Sequence, residues 1–194
     1  AVGSNQSPRQ LIRKFKEENL GAIPVIRARL KDFDIVYSPH ISSFGAIPAT
    51  LRHSLGTVAA LLVTWLTPAQ EERMHETEVA PGNYLFGELE DIELRLDMGL
   101  MLTSVFVYSS RRGSLARDGP PVSLAEVEAE NRQWPALSKK EIQAHVRNWI
   151  APGQSIDSFI QTAIADASIR KSRTKALMSS SLPFNYPGFT ALNV

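Results

Sequence analysis

The chain has 194 residues, 43% of them apolar and 21% charged, with a formal net charge of +1 and no cysteine. That length supports one full domain rather than two, and the near-neutral balance makes no electrostatic case for nucleic acid or an anionic membrane as partner. The lack of cysteine removes disulfides, thiolate metal sites and cysteine nucleophiles together. It also suits a reducing compartment, and no secretory signal is visible, so a cytoplasmic location is expected. The longest apolar run, residues 58–66, is about half of the ~20 residues that a membrane span needs.

Ser7 suits an N-cap and Pro8 the first helical turn. Leu11, Ile12, Phe15 and Leu20 mark one face, and Gly21 ends the pattern, which predicts a helix over 8–20. Over 25–37, Ile26, Ala28 and Leu30 alternate with Arg27, Arg29 and Lys31, the period of a strand. Ser38-Pro39-His40 breaks it. Residues 41–51 carry Gly45 and Pro48 among small and β-branched residues, which predicts a bulged or edge strand. Leu55-Gly56 reads as a turn, and 57–66 as a strand buried on both faces.

Thr67, Pro68 and Gln70 spell a capping box with proline in the first turn, opening a short helix to about residue 76. Pro81-Gly82-Asn83 is a turn. Residues 84–96 and 101–109 read as a hairpin about Asp97-Met98-Gly99. Residues 111–121 are loop. Ser138 and Glu141 spell a second capping box, for a helix to about 149. Ser155 caps a last helix over 156–171, with Phe159, Ile160, Ala163, Ile164 and Ala167 on its apolar face. The segment 179–194 reads as an irregular tail that packs through Phe184, Tyr186 and Phe189. Helix, strands around one helix, then helices is an α+β order with a largely antiparallel or mixed sheet.

Several chemistries find little support. His40, His53, His75 and His145 show no i, i+4 pair and no HExxH. Glu72, His75, Glu76 and Glu78 cluster locally, but acidic helix surfaces are common and no metal is expected there. There is no G-x-S-x-G elbow, Walker loop or G-x-G-x-x-G fingerprint, and no cofactor is implied. Two features remain. Val2-Gly3-Ser4-Asn5 leads into a helix N-terminus, where free backbone N–H groups favour an anion or oxyanion; the plain alternative is a simple turn. Glu76 and Glu78 lie at a helix C-terminus, where a buried carboxylate serves acid/base chemistry; the plain alternative is a solvated acidic end.

Together these stretches resemble the γ-glutamylcyclotransferase-like family, which includes the plant AIG2-type proteins. The carriers are AVGSNQSPRQL, VIRARLKDFDIVY, FGAIPATLRHSLGTVAALLVTWL and TPAQEERMHETEVAPGNYLF, in that order. They span residues 1–110, expected to form the core; 111–194 is expected as a loop and helical extension packing on it. The resemblance implies a small mixed β-barrel or sheet with surrounding helices. It also implies a pocket for a small-molecule γ-glutamyl substrate and release of 5-oxoproline from a γ-glutamyl amine or peptide by intramolecular acyl transfer. On it, Glu78 matches the catalytic glutamate, with Glu76 as fallback, and Val2, Gly3, Ser4, Asn5 and Tyr84 line the substrate. Val2 stands where the family commonly has an aromatic residue, and Val79 where it often has glycine. The family's opening strand is not among the 194 residues; either it was trimmed or another segment takes its place. Two other readings are a non-catalytic member of the same fold that binds a small ligand or a protein, and an amide hydrolase using the same pocket with water. Nothing in the sequence bears on oligomeric state or on the leaving group.

Overall fold

The computed structural model of the chain describes residues 8–15, 20–80, 82–116 and 119–194. Helix α1 (Pro8–Phe15) covers the first eight residues of the expected helix; 16–19 lie outside the described residues, and Leu20 is already non-helical. Strand β1 (Val25–Tyr37) has the predicted bounds and pairs antiparallel along its length with β2 (Ala49–Thr64).

This ribbon departs from expectation in two places. Residues 41–48 form a loop, closed by Gly45 N–H to Ser42 O (2.9 Å) and Ser42 N–H to Ala46 O (2.8 Å). Gly45 has φ 74°, and a Cβ there would lie 2.9 Å from Ile160 Cγ2, so the close approach of a helix requires glycine. Leu55-Gly56 is a bulge inside β2, not a turn. The register jumps from Lys31↔Val58 to Phe33↔His53. Asp32 takes φ 63° opposite the bulge, and its Oδ1 accepts the Gly56 N–H at 2.7 Å. A carboxylate across the ribbon thus holds an extra loop of backbone that would otherwise end the strand.

Helix α2 (Pro68–Glu78) carries the predicted capping box, with Thr67 and Gln70 satisfying each other's backbone N–H groups. It runs two residues beyond the expected end. The expected hairpin over 84–109 is split between two sheets. Its base, β3 (Tyr84–Leu89) and β6 (Val105–Ser110), pairs from Tyr84↔Ser110 to Leu89↔Val105. Its tip, β4 (Leu94–Leu96) and β5 (Met101–Leu102), joins β1 through β4. The break falls at Asp91, which has φ 56°.

Short strands β7 (Ser123–Leu124), β8 (Ala129–Glu130) and β9 (Ala136–Leu137) complete the first sheet. Its order is β5-β4-β1-β2-β8, with β7 on β1 and β9 parallel to β7. Helix α3 (Lys139–Ile150) again has the predicted capping box, at Ser138 and Glu141. The last expected helix is two, α4 (Ile156–Ala165) and α5 (Ala167–Met178). Asp166 takes an extended backbone and caps α5, accepting the N–H groups of Ser168 and Ile169; a side chain that captures backbone donors this way stops the preceding helix. The tail packs as expected and also adds β10 (Phe189–Ala191) to β3. The second sheet is therefore β10-β3-β6. The result is a mixed α+β fold of two open sheets, with no closed barrel among the described strands.

The core lies between the sheets and under the C-terminal helices, where Leu30, Ile35, Leu51, Leu89, Ile142 and Phe159 are all buried. Every residue from Phe33 to Tyr37 is at most 1% exposed, including Asp34. A carboxylate in that position needs a full set of partners. Asp34 accepts from Ser123 Oγ (2.7 Å), the Ile35 N–H (2.8 Å) and Arg132 Nε (3.0 Å). Arg132 also donates to Val127 O at 2.9 Å. Removing the charge leaves the guanidinium without its counter-ion, so Asp34→Asn is expected to lose roughly 3 kcal/mol in denaturant unfolding. Replacing Asp34 and Arg132 together by apolar residues is expected to lose less.

Candidate active site

Glu78 is the last residue of α2. A carboxylate at a helix C-terminus opposes the helix dipole, and here it is offset by a cation from α1. Lys14 Nζ forms an ion pair with Glu78 Oε1, and the two side chains are 10% and 14% exposed. Lys14 Nζ also lies 3.4 Å from Met74 Sδ, and the Lys14 carbonyl accepts Arg73 Nε at 3.0 Å. Gln70 Nε2 reaches Leu20 O at 2.9 Å. Contacts with α2 therefore bracket the chain on both sides of residues 16–19.

Tyr84, the first residue of β3, donates its hydroxyl to Ala49 O at 3.1 Å. Burial pushes its phenol pKa up, and the Glu78 charge pushes it further, while Arg112 opposes. The phenol is thus a proton donor at neutral pH. Tyr108 behaves alike: burial first, then the charges of Glu71 and Glu78, raise its phenol. Its hydroxyl meets His75 Nδ1 at 2.9 Å. Two of the residues expected in the site, Glu78 and Tyr84, are therefore brought within electrostatic reach of each other. Val2, Gly3, Ser4 and Asn5 lie outside the described residues. Glu76, the fallback, turns to solvent and pairs with Arg73, its side chain 56% exposed. Among the described residues no group of three or more His, Asp or Glu side chains could hold a metal ion.

A buried polar chain runs behind Tyr84, and sequence reasoning did not find it. Ser38 Oγ lies 2.8 Å from His40 Nδ1 and 2.8 Å from Ser110 Oγ. The Ser110 N–H donates to Thr50 Oγ1 at 3.0 Å, and Ser110 Oγ accepts the Arg112 N–H at 3.1 Å. Arg112 Nη1 reaches Asn83 Oδ1 at 2.9 Å, in the turn between Glu78 and Tyr84. The His40 ring sits 6.2 Å from the Tyr84 ring, edge to face. Ser38 and His40 have the spacing of a nucleophile and base, but they are 0% and 3% exposed. With no access for a substrate, the chain positions β3 rather than attacking anything. The only local hint was Ser38-Pro39-His40, which reads as a strand break.

A cleft of about 470 Å³ opens beside α2, between the end of β2 and strand β6. Trp65, Glu71, Met74, Phe86 and Tyr108 are among its walls, whereas Glu78 and Tyr84 are not. Met74, on the cleft wall, is also in contact with Lys14. Among the described residues, no helix is long and apolar enough to cross a membrane.

The chain is similar in fold to a solved structure described as "Gamma-glutamyl cyclotransferase". The TM-score is 0.47 and the identity 14%, over 97% of this chain and 89% of that one. A second similar structure is an uncharacterized protein from Homo sapiens, with TM-score 0.48 and 16% identity over the same shares. No protein-family model and no curated protein sequence matches the chain.

Burial, then the Arg112 charge, lowers the His40 pKa from 6.5 to about 4. The unfolded chain therefore binds a proton that the folded chain refuses between those values. Stability from this group is full above about pH 6.5 and is lost as pH falls towards 4. Unfolding free energies across that window are expected to fall with acid in the parent chain, and to fall less steeply in His40→Asn.

Proposed function

We propose that the chain is a γ-glutamylcyclotransferase-like enzyme that releases 5-oxoproline from a γ-glutamyl amine or peptide, with Glu78 as general acid/base. The observation that carries this reading is the largely buried Glu78 carboxylate, held at the end of α2 by Lys14 and within electrostatic reach of the Tyr84 phenol. The sequence resemblance points to the same glutamate and the same tyrosine.

The chemistry asks little more of the protein. The nucleophile is the substrate's own α-amine, so folding the γ-glutamyl group into a ring geometry supplies much of the rate. Glu78 takes a proton from that amine as its nitrogen attacks the γ-carbonyl carbon. The ring C–N bond forms, the bond to the leaving nitrogen breaks, and Glu78 returns the proton to that nitrogen. Lys14 occupies the carboxylate at rest. An incoming α-ammonium competes with it and sheds one proton to water, regained by the released amine, to become the nucleophile; the displaced Nζ is then available to the oxygen that gains charge at the γ-carbon. In this reading Gly3, Ser4 and Asn5 contribute backbone N–H groups to the substrate, and Val2 and Tyr84 line the pocket.

One observation favours a second reading. Glu78 is already ion-paired and does not border the cleft beside α2, as suits a non-catalytic member of the same fold that binds a ligand or a protein. Activity separates the two. On a panel of γ-glutamyl amines and peptides, Glu78→Gln is expected to lower 5-oxoproline release by about 10²–10⁴-fold, with an unchanged circular dichroism spectrum. No 5-oxoproline from the parent chain on any substrate would refute the enzyme reading. Free glutamate in its place would make the protein an amide hydrolase.

A further inference from the structure

The chain leaves β6 through two arginines that are tied to the start of β3. The Arg111 N–H donates to Asn83 O at 3.1 Å, and its Nε to Tyr84 O at 3.3 Å. Arg112 Nη1 donates to Asn83 Oδ1 at 2.9 Å, and the Arg112 N–H to Ser110 Oγ at 3.1 Å. Ser110 is the residue that faces Tyr84 across the sheet. A backbone bond and a side-chain bond therefore fix the Arg112 guanidinium at the turn that joins Glu78 to Tyr84. Its charge reaches both neighbouring rings, opposing the rise of the Tyr84 phenol pKa and adding to the fall of the His40 pKa.

A guanidinium has five N–H donors. In Arg132 they are divided between the Asp34 carboxylate and the carbonyls of Leu124 and Val127. In Arg173 they go to Phe159 O, Gln154 Oε1 and Thr162 Oγ1. Arg112 gives one to a neutral amide, and no carboxylate lies within ion-pair distance of it among the described residues. It is a half-buried cation with most of its fork unassigned.

The reaction proposed above determines where an anion must sit. The α-carbon of a γ-glutamyl group bears both the attacking amine and a carboxylate. Bringing the amine to Glu78 brings that carboxylate close to the same glutamate, and like charges at short range repel. In that reaction Lys14 serves the γ-carbonyl oxygen. A second cation at the Glu78–Tyr84 turn offsets the repulsion, and a planar guanidinium is the donor set that grips a carboxylate through both oxygens.

We propose that Arg112 binds the α-carboxylate of the γ-glutamyl substrate and thereby selects substrates that carry one. This inference rests on the γ-glutamyl reading of the Glu78 site. Arg112 holds the substrate and takes no part in moving protons, so its effect belongs to affinity and selectivity.

The probes are γ-glutamyl ethylamide, whose only carboxylate is the α one, and the same compound with that group converted to the primary amide. Binding is measured by calorimetry on Glu78→Gln, and turnover as 5-oxoproline release by the parent chain. The carboxylate compound is expected to bind about 10–100-fold more tightly than the amide compound. Adding Arg112→Gln should erase that preference and leave the affinity for the amide compound unchanged, whereas a change that only loosened the turn would weaken both alike. If Arg112→Gln folds poorly, Arg112→Lys takes its place; it keeps the charge, loses the fork and should reduce the preference. Equal binding of the two compounds, binding of neither, or a loss that the arginine variant shares equally between them would overturn the proposal. Arg112-dependent preference for the carboxylate without any 5-oxoproline from the parent would refute the enzyme reading and leave the role of Arg112 standing. Release of 5-oxoproline with no such preference would do the reverse.

Discussion

The fold depends on one buried carboxylate. Asp34 lies within a run, Phe33–Tyr37, that is buried at every residue. Burial of those apolar neighbours drives the ribbon into the core, each side chain contributing about 1.5–3 kcal/mol. Asp34 cannot follow them there uncompensated. Its partners, Ser123 and Arg132, come from the C-terminal part of the chain. Satisfying one charge thus draws β7 and the following loop onto β1, and a segment of short strands with little propensity of its own gains a fixed position. Buried ion pairs contribute little net stability against an apolar replacement. Here the value is in specifying which loop lies where.

The same logic operates at the candidate site on a smaller scale. Glu78 ends a helix that begins with a strong capping box and rests its start on the segment after α1. Lys14 then brings α1 to the helix's unfavourable end. Behind the site, the serine, threonine and histidine chain fixes the start of β3, so Tyr84 has little freedom. Two helices thus meet at one carboxylate, within electrostatic reach of the start of β3.

What the sequence revealed was local. Both capping boxes appear where Thr67/Gln70 and Ser138/Glu141 predict them, because each is complete within four residues. The alternation over 25–37 gave β1 its bounds. Leu55-Gly56 has the local look of a turn; the acceptor that makes it a bulge is Asp32, 24 residues earlier. Asp166 was hidden inside an apolar period that runs on from Phe159. The split of the long hairpin depends on the tail, since the Glu90 N–H donates to Gly188 O. At the candidate site, the order of motifs points to Glu78 and Tyr84, which lie within electrostatic reach of each other. Lys14 and the Ser38–Ser110 chain were not legible, because their contacts join residues 64 and 72 positions apart.

The account's central claim is that the substrate's own amine, and not water, attacks the γ-carbonyl. Turnover of a γ-glutamyl amine in heavy-oxygen water, followed by mass spectrometry of the acid product, tests it most directly. Cyclisation predicts 5-oxoproline carrying no solvent oxygen. Glutamate labelled with one solvent oxygen would contradict the account.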